Sequence, residues 1–293
     1  MTDDGITRRQ FLTGSVVAGA TLYVANASHA AGAARRPRSM VSRVSLGKTR
    51  LRPSYLAFGT GTKGWEKQSN QTRLGREPFI RLLQHAWDRG IRFFDCADIY
   101  GTHDYVREAL RGKNRADYVL QSKTWWRTSK GIREDVDRFR RELGTDYIDL
   151  LHLHAVEAGT WPQDLRPAME VLAKAKDEGA IRACGLSIHH FDALQAAATE
   201  PWVDVAVCRV NHTGQRMDAE PARVAPVLGQ IRDAGKGVVA IKILAEGDIA
   251  AQREQSLRYV LGLDCVHAMV IGFESPQQVD EIIAIGNRIL AGK

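Results

Sequence analysis

The 293-residue chain carries 41 Lys and Arg against 34 Asp and Glu, a formal charge of +7, with 44% hydrophobic and 26% charged residues. That is the make-up of an ordinary soluble globular protein, long enough for one large α/β domain or two smaller ones. Basic residues alternate with acids along stretches such as IREDVDRFRREL, which reads as a solvated helix face and argues against a nucleic-acid partner. The surplus of positive charge leaves a modest preference for anionic ligands, phosphates included.

At the N-terminus, residues 7–12 read TRRQFL and lead into the weakly apolar GSVVAGATLYVANA. A charged start, an apolar middle and a small-residue exit make a signal peptide over residues 1–30, with Ala27 and Ala30 as candidate cleavage positions. Arg8-Arg9 followed by Phe11-Leu12 resembles a twin-arginine signal, the kind that exports proteins already folded. The expectation is therefore a periplasmic protein handled by the twin-arginine export machinery. Gly and Thr dilute the apolar run below a convincing span, so no stable membrane insertion is expected. Residues 31–42 then read as a short flexible basic leader, and residues 40–53 as a small β-hairpin.

From residue 54 onward, apolar β-rich runs at 55–59, 92–97, 118–122, 148–154, 183–188, 205–211, 238–244 and 268–273 alternate with amphipathic helical segments. Eight strands and eight helices in strict alternation predict a single (β/α)8 TIM barrel over residues 43–290. A doubly wound dinucleotide fold is disfavoured, because no GxGxxG follows any strand. Cys96, Cys184, Cys208 and Cys265 lack metal-ligand spacing and mostly lie in apolar runs, so they read as buried thiols and no metal site is expected.

Several of these runs end on ionisable side chains: Asp95 and Tyr100 in FFDCADIYG, Lys123 in YVLQSK and His154 in IDLLHLH. In a parallel barrel they converge on the rim where such folds do their chemistry. Together they suit the reduction of a carbonyl group, whose oxygen must be protonated as it gains negative charge. Tyr100 is the acid. Its ordinary pKa of about 10 is high for that task, and the nearby Lys123 ammonium is expected to lower it, with Asp95 holding Lys123 in place. His154 orients the carbonyl oxygen. His152, on the same strand face one layer deeper, reads as structural or as a supporting proton partner.

These motifs resemble the aldo-keto reductase family over residues 44–290. GIRFFDCADIYG matches its Asp- and Tyr-bearing motif, SKTWW supplies its Lys as Lys123, and DLLHLH its His as His154. The resemblance implies NADPH or NADH as hydride donor, bound extended across the rim. It implicates Gly59, Thr60, Ser187, Arg209, Lys242, Leu244, Glu246 and Gly247, and at the adenosine end Ser275, Gln278 and Glu281. Ser275 and Pro276 also form a natural helix start. Three departures from the family pattern stand at the nicotinamide: Ile188 and His189 follow Ser187, Val207 stands where a Gln is frequent, and Val210 where a Tyr usually stacks. Glu274 occupies a position near the 2′-phosphate of NADPH and is expected to weaken or reverse NADPH preference. Trp125 and Trp126, with Trp65, are expected to line an apolar substrate pocket. The alternatives are an accessory or binding barrel without hydride transfer, and a non-redox isomerase or lyase using Tyr100 and His154 as acid and base.

Overall fold

The computed structural model describes residues 37–292; the expected signal peptide and the first half of the leader lie outside these residues. The described chain runs β1 (Leu56–Gly59), α1 (Asn70–Arg73), α2 (Arg76–Asp88), β2 (Phe93–Asp95), α3 (His103–Ala109), β3 (Val119–Thr124), α4 (Ser129–Leu143), β4 (Ile148–Val156), α5 (Trp161–Asp164) and α6 (Arg166–Asp177). It continues through β5 (Ile181–Ile188), α7 (Phe191–Thr199), β6 (Val205–Arg209), α8 (Pro221–Asp233), β7 (Gly237–Ile241), α9 (Arg253–Gly262), β8 (Ala268–Gly272) and α10 (Pro276–Ala291). Neighbouring strands are parallel, and β1 pairs with both β2 and β8, closing the barrel.

All the expected strands form, with shifted ends. β2 stops at Asp95 because residues 96 onward leave the sheet for the tight turn Asp98–Tyr100, whereas β3 extends through Lys123 to Thr124. Two four-residue helices, α1 and α5, are additions; Ser69 and Thr72 make a reciprocal capping box that starts the first of them.

Side chains alternate across each strand. Phe94, Leu120, Leu151 and Leu186 pack outward with helices such as α2 and α4. Ala57, Phe93, Val119, Leu150, Ala183, Val205 and Val239 fill the barrel interior. Leu46 and Leu51 join that inner cluster from residues 40–53, which plug the base of the barrel. This segment folds back as a hairpin, Val44 N donating to Pro53 O at 2.9 Å and Leu46 N to Leu51 O at 3.3 Å. It carries one antiparallel bridge, Arg43 to Ser54, and so forms no regular strand.

The four cysteines are free and buried, as the sequence implies. One sequence expectation is corrected: the IREDVDRFRREL face is not uniformly solvated. Asp135 is buried, and Arg138 donates to Asp135 Oδ1 at 2.5 Å and Glu142 Oε1 at 2.9 Å within α4.

Candidate active site

The alternation that fills the barrel with apolar side chains puts polar ones in the uppermost interior layers. Asp95 ends β2; two residues apart on β3, Gln121 and Lys123 both face inward and meet it. Asp95 Oδ1 accepts from Lys123 Nζ and from Gln121 Nε2, each at 2.5 Å, and Lys123 Nζ also donates to the Cys96 carbonyl at 2.8 Å. One layer down on β4, His152 Nε2 donates to Gln121 Oε1 at 3.0 Å. Burial pushes the His152 pKa down to about 3, helped by Lys123, so this ring is neutral and structural. Burial pulls the Lys123 ammonium downward as well, but Asp95 and then Tyr100 oppose it and hold its pKa above the ordinary value. Such a pair keeps its charges because each satisfies the other.

Tyr100 closes the turn Asp98–Tyr100, its ring centroid 5.2 Å from Lys123 Nζ. The loop after β1 grips this ring along two edges: a Cβ on Gly61 would lie 2.2 Å from it and one on Gly64 2.4 Å from it. Only glycine permits that approach. The expected lowering of the phenol pKa does not occur. Burial pushes it up to about 12 against the pull of Lys123, and the carboxylates of Asp95 and Glu246 act in the same direction as burial.

His154 stands on β4 beside a break in register between Leu153 and Val156, where Ala155 takes a left-handed φ of 51°. Arg127 donates to the His154 carbonyl. The His154 ring lies edge-on to Tyr100 at 5.6 Å, and its buried Nδ1 has no protein partner among the described residues. Burial, with Lys123 and His189 adding to it, holds its pKa well below the ordinary value, so the imidazole is neutral.

Asp95, Tyr100, Lys123 and His154 line one cleft of about 530 Å³ at the C-terminal rim. Gly59, Ser187, Lys242, Leu244, Glu246, Gly247, Gln278 and Glu281 line the same cleft. Three other expected cofactor residues do not. Thr60 Oγ1 donates to the Asp95 carbonyl at 2.8 Å and so braces the site from behind. Arg209 is committed to Asp218 and to the His189 carbonyl. Ser275 caps α10, accepting from Gln278 N at 3.3 Å. Of the three expected pocket tryptophans, Trp125 and Trp65 line the cleft, Trp125 packing edge-on against His154 at 5.4 Å and against Trp65 at 5.6 Å. Trp126 is 54% exposed and packs toward Gly131 of α4, outside the cleft.

A long cleft running from Tyr100 to the start of α10 fits an extended dinucleotide. Its cations are already partnered: Lys242 pairs with Glu246, and Arg253 with Glu281 at 2.6 Å. Glu246 also meets Arg216 at 3.1 Å, and Glu274 Oε1 accepts from Asn70 at 2.7 Å. Val207 and Val210 are buried outside the cleft, so neither supplies a face for a nicotinamide ring. Gln121, Gly61, Gly64 and Arg127 went unread in the sequence. Gln121 alone had a signal there, as a polar residue two before Lys123 on the inward face of an apolar run.

The chain matches the model of the Aldo/keto reductase family over residues 55–258. It is 27% identical over 215 residues to the D-threo-aldose 1-dehydrogenase of Pseudomonas sp, covering 62% of this chain and 64% of that protein. It is 27% identical over 225 residues to the L-galactose dehydrogenase of Arabidopsis thaliana, covering 71% of this chain and 67% of that one. The chain thus spans about two thirds of the length of these curated relatives. Among solved structures, a Pseudomonas aeruginosa protein assigned to the aldo-keto reductases superposes with a TM-score of 0.71 at 25% identity, covering 87% of this chain and 98% of that one. The holo form of a Bacillus halodurans aldo-keto reductase shares the fold with a TM-score of 0.68 at 22% identity, covering 85% of this chain and 95% of that one.

Proposed function

The chain belongs to the aldo/keto reductase family, and from that membership we propose that it reduces the carbonyl group of an aldehyde or ketone to an alcohol, with Tyr100 as general acid. A reduced nicotinamide dinucleotide, NADPH or NADH, supplies the hydride when bound, and Lys242, Leu244, Glu246, Gly247, Gln278 and Glu281 are the residues that would hold it. Tyr100 delivers the phenolic proton to the carbonyl oxygen as negative charge grows there. Lys123, fixed by Asp95 and Gln121, supplies the positive charge that stabilises the phenolate left behind. His154, a neutral imidazole lining the cleft, orients the substrate oxygen by a hydrogen bond. Trp125 walls the reacting end from water.

The observation that carries this reading is the convergence of Tyr100, His154 and the Asp95–Lys123 pair on one cleft. Tyr100→Phe tests it: carbonyl reduction should fall at least a hundredfold, while the dissociation constant for the reduced dinucleotide stays within threefold. A mutant that keeps its reductase activity refutes the role. A barrel that lacks hydride transfer, or an acid–base isomerase, would instead bind no nicotinamide nucleotide at micromolar concentration.

Glu274 supports a preference for NADH, because a carboxylate held by Asn70 at the cleft edge repels a 2′-phosphate and accepts from ribose hydroxyls. Fluorescence titration with both dinucleotides should show NADH binding equally or more tightly; tenfold tighter NADPH binding sinks the idea. Export to the periplasm by the twin-arginine route is supported by the sequence TRRQFL at residues 7–12. Replacing Arg8 and Arg9 together by Lys should retain the protein in the cytoplasmic fraction.

A further inference from the structure

Two imidazoles, not one, face the reacting end of the cleft. His189 follows β5 directly, and its ring centroid lies 6.3 Å from that of His154, with the ring planes at 80°. Its backbone is held on both sides. The His189 N–H donates to the Val156 carbonyl at 2.9 Å, and the His189 carbonyl accepts from Arg209 Nη2 at 2.6 Å. Arg209 is itself fixed by its pairing with Asp218.

The ring, by contrast, lines the cleft and has no hydrogen-bond partner among the described residues. A side chain held rigidly at its root with both nitrogens unused is placed for a ligand rather than for the fold. Burial, then Arg209 and Lys242, push its pKa down to about 3. It therefore offers one N–H donor and one acceptor across the physiological range, as a neutral imidazole does.

We propose that His189 determines specificity by hydrogen-bonding a hydroxyl on the carbon next to the reacting carbonyl, so that α-hydroxy aldehydes and ketones are selected over their deoxy counterparts. This rests on the carbonyl-reductase reading given above, in which His154 and Tyr100 take the carbonyl oxygen. With hydrogen bonds of about 2.9 Å from each ring, imidazoles this close serve two oxygens on adjacent carbons and not two widely spaced ones. The ring is half-buried in the empty cleft, and a bound substrate without the hydroxyl covers it while leaving its nitrogens unpaired. That penalty is the source of strong discrimination in sites built to bind hydroxyl groups.

A competing occupant for the ring is the carboxamide of the nicotinamide, since Ile188 and Val207 cannot bind it. The two occupants predict different losses. Initial rates are measured with saturating NADH or NADPH on 2-hydroxypropanal and on propanal, which differ by the α-hydroxyl alone. Wild type should show a kcat/KM at least tenfold higher for 2-hydroxypropanal. In His189→Ala that ratio should collapse toward one, and His189→Gln, which keeps a donor and an acceptor, should recover part of it.

A preserved ratio in His189→Ala overturns the proposal, as does a tenfold weaker dissociation constant for the dinucleotide with the ratio intact, which would assign the ring to the cofactor. A wild type that reduces neither aldehyde fails one step earlier and overturns the carbonyl-reductase reading itself. The unfolding midpoints of both variants, compared with wild type, separate any of these losses from a misfolded loop.

Discussion

On the proposed mechanism, the proton is given by a phenol held at a pKa of about 12, beside an ammonium held above its ordinary value. Because the shift of Tyr100 is upward, the protonated form persists through neutral and moderately alkaline pH. Carbonyl reduction, which consumes that proton, should show no alkaline fall from this group between pH 6 and 9. Alcohol oxidation needs the phenolate, whose fraction rises about tenfold per pH unit below the pKa, so its rate should climb steadily over the same interval. A reduction profile that falls with an apparent pKa near 8 would show that the bound cofactor restores the downward shift. Lys123→Met leaves Asp95 charged and unpaired inside the barrel, and by the general cost of breaking a buried pair should destabilise the fold by about 3–5 kcal/mol in urea titration. Adding Asp95→Asn should recover part of that loss. The identities of these residues were legible in the sequence because a charge closing an apolar run is costly enough to need a reason. The direction of the Tyr100 shift was not, since it depends on depth of burial, which no local pattern encodes.

The turn that carries Tyr100 is anchored from outside the barrel, chiefly by α4. Asp98 accepts from Lys67 Nζ at 2.5 Å and from Arg138 at 2.7 Å. Five residues on, His103 bridges Glu142 Oε2 at 2.6 Å and Ser122 Oγ at 2.8 Å, beside Lys123. Arg138 joins the two anchors through Glu142. Arg138→Ala should therefore lower kcat by roughly ten- to hundredfold through a misplaced Tyr100, with KM changed far less. Arg138→Lys should restore some of the rate, and an effect confined to the unfolding midpoint would leave Arg138 a merely structural residue. The helix itself was plain in the sequence. Its charged stripe read as solvated because acids and bases at helical spacing look the same whether they meet water or a neighbouring loop.

Across the whole molecule, strand order and closure followed from alternation alone, since each apolar run is long enough for one strand and each intervening segment for one helix. The shape of the cleft did not, because it is set where the backbone leaves the sheet: the early end of β2, the bulge of β4 and the left-handed residues after β7. The plug at the base is equally a long-range feature. Leu46 reaches the inner barrel cluster from before the first strand, and Leu46→Ala should cost about 2–5 kcal/mol by denaturant titration. Finally, the four cysteines are free and buried, and burial raises the pKa of each, to about 12 for Cys96 and about 11 for Cys265. No crosslink spans the fold, so the barrel needs no oxidant to mature and has no covalent tie to lose in a reductant. A maleimide probe should leave the native protein untouched and label all four positions once it opens, which makes the chain its own clock for unfolding.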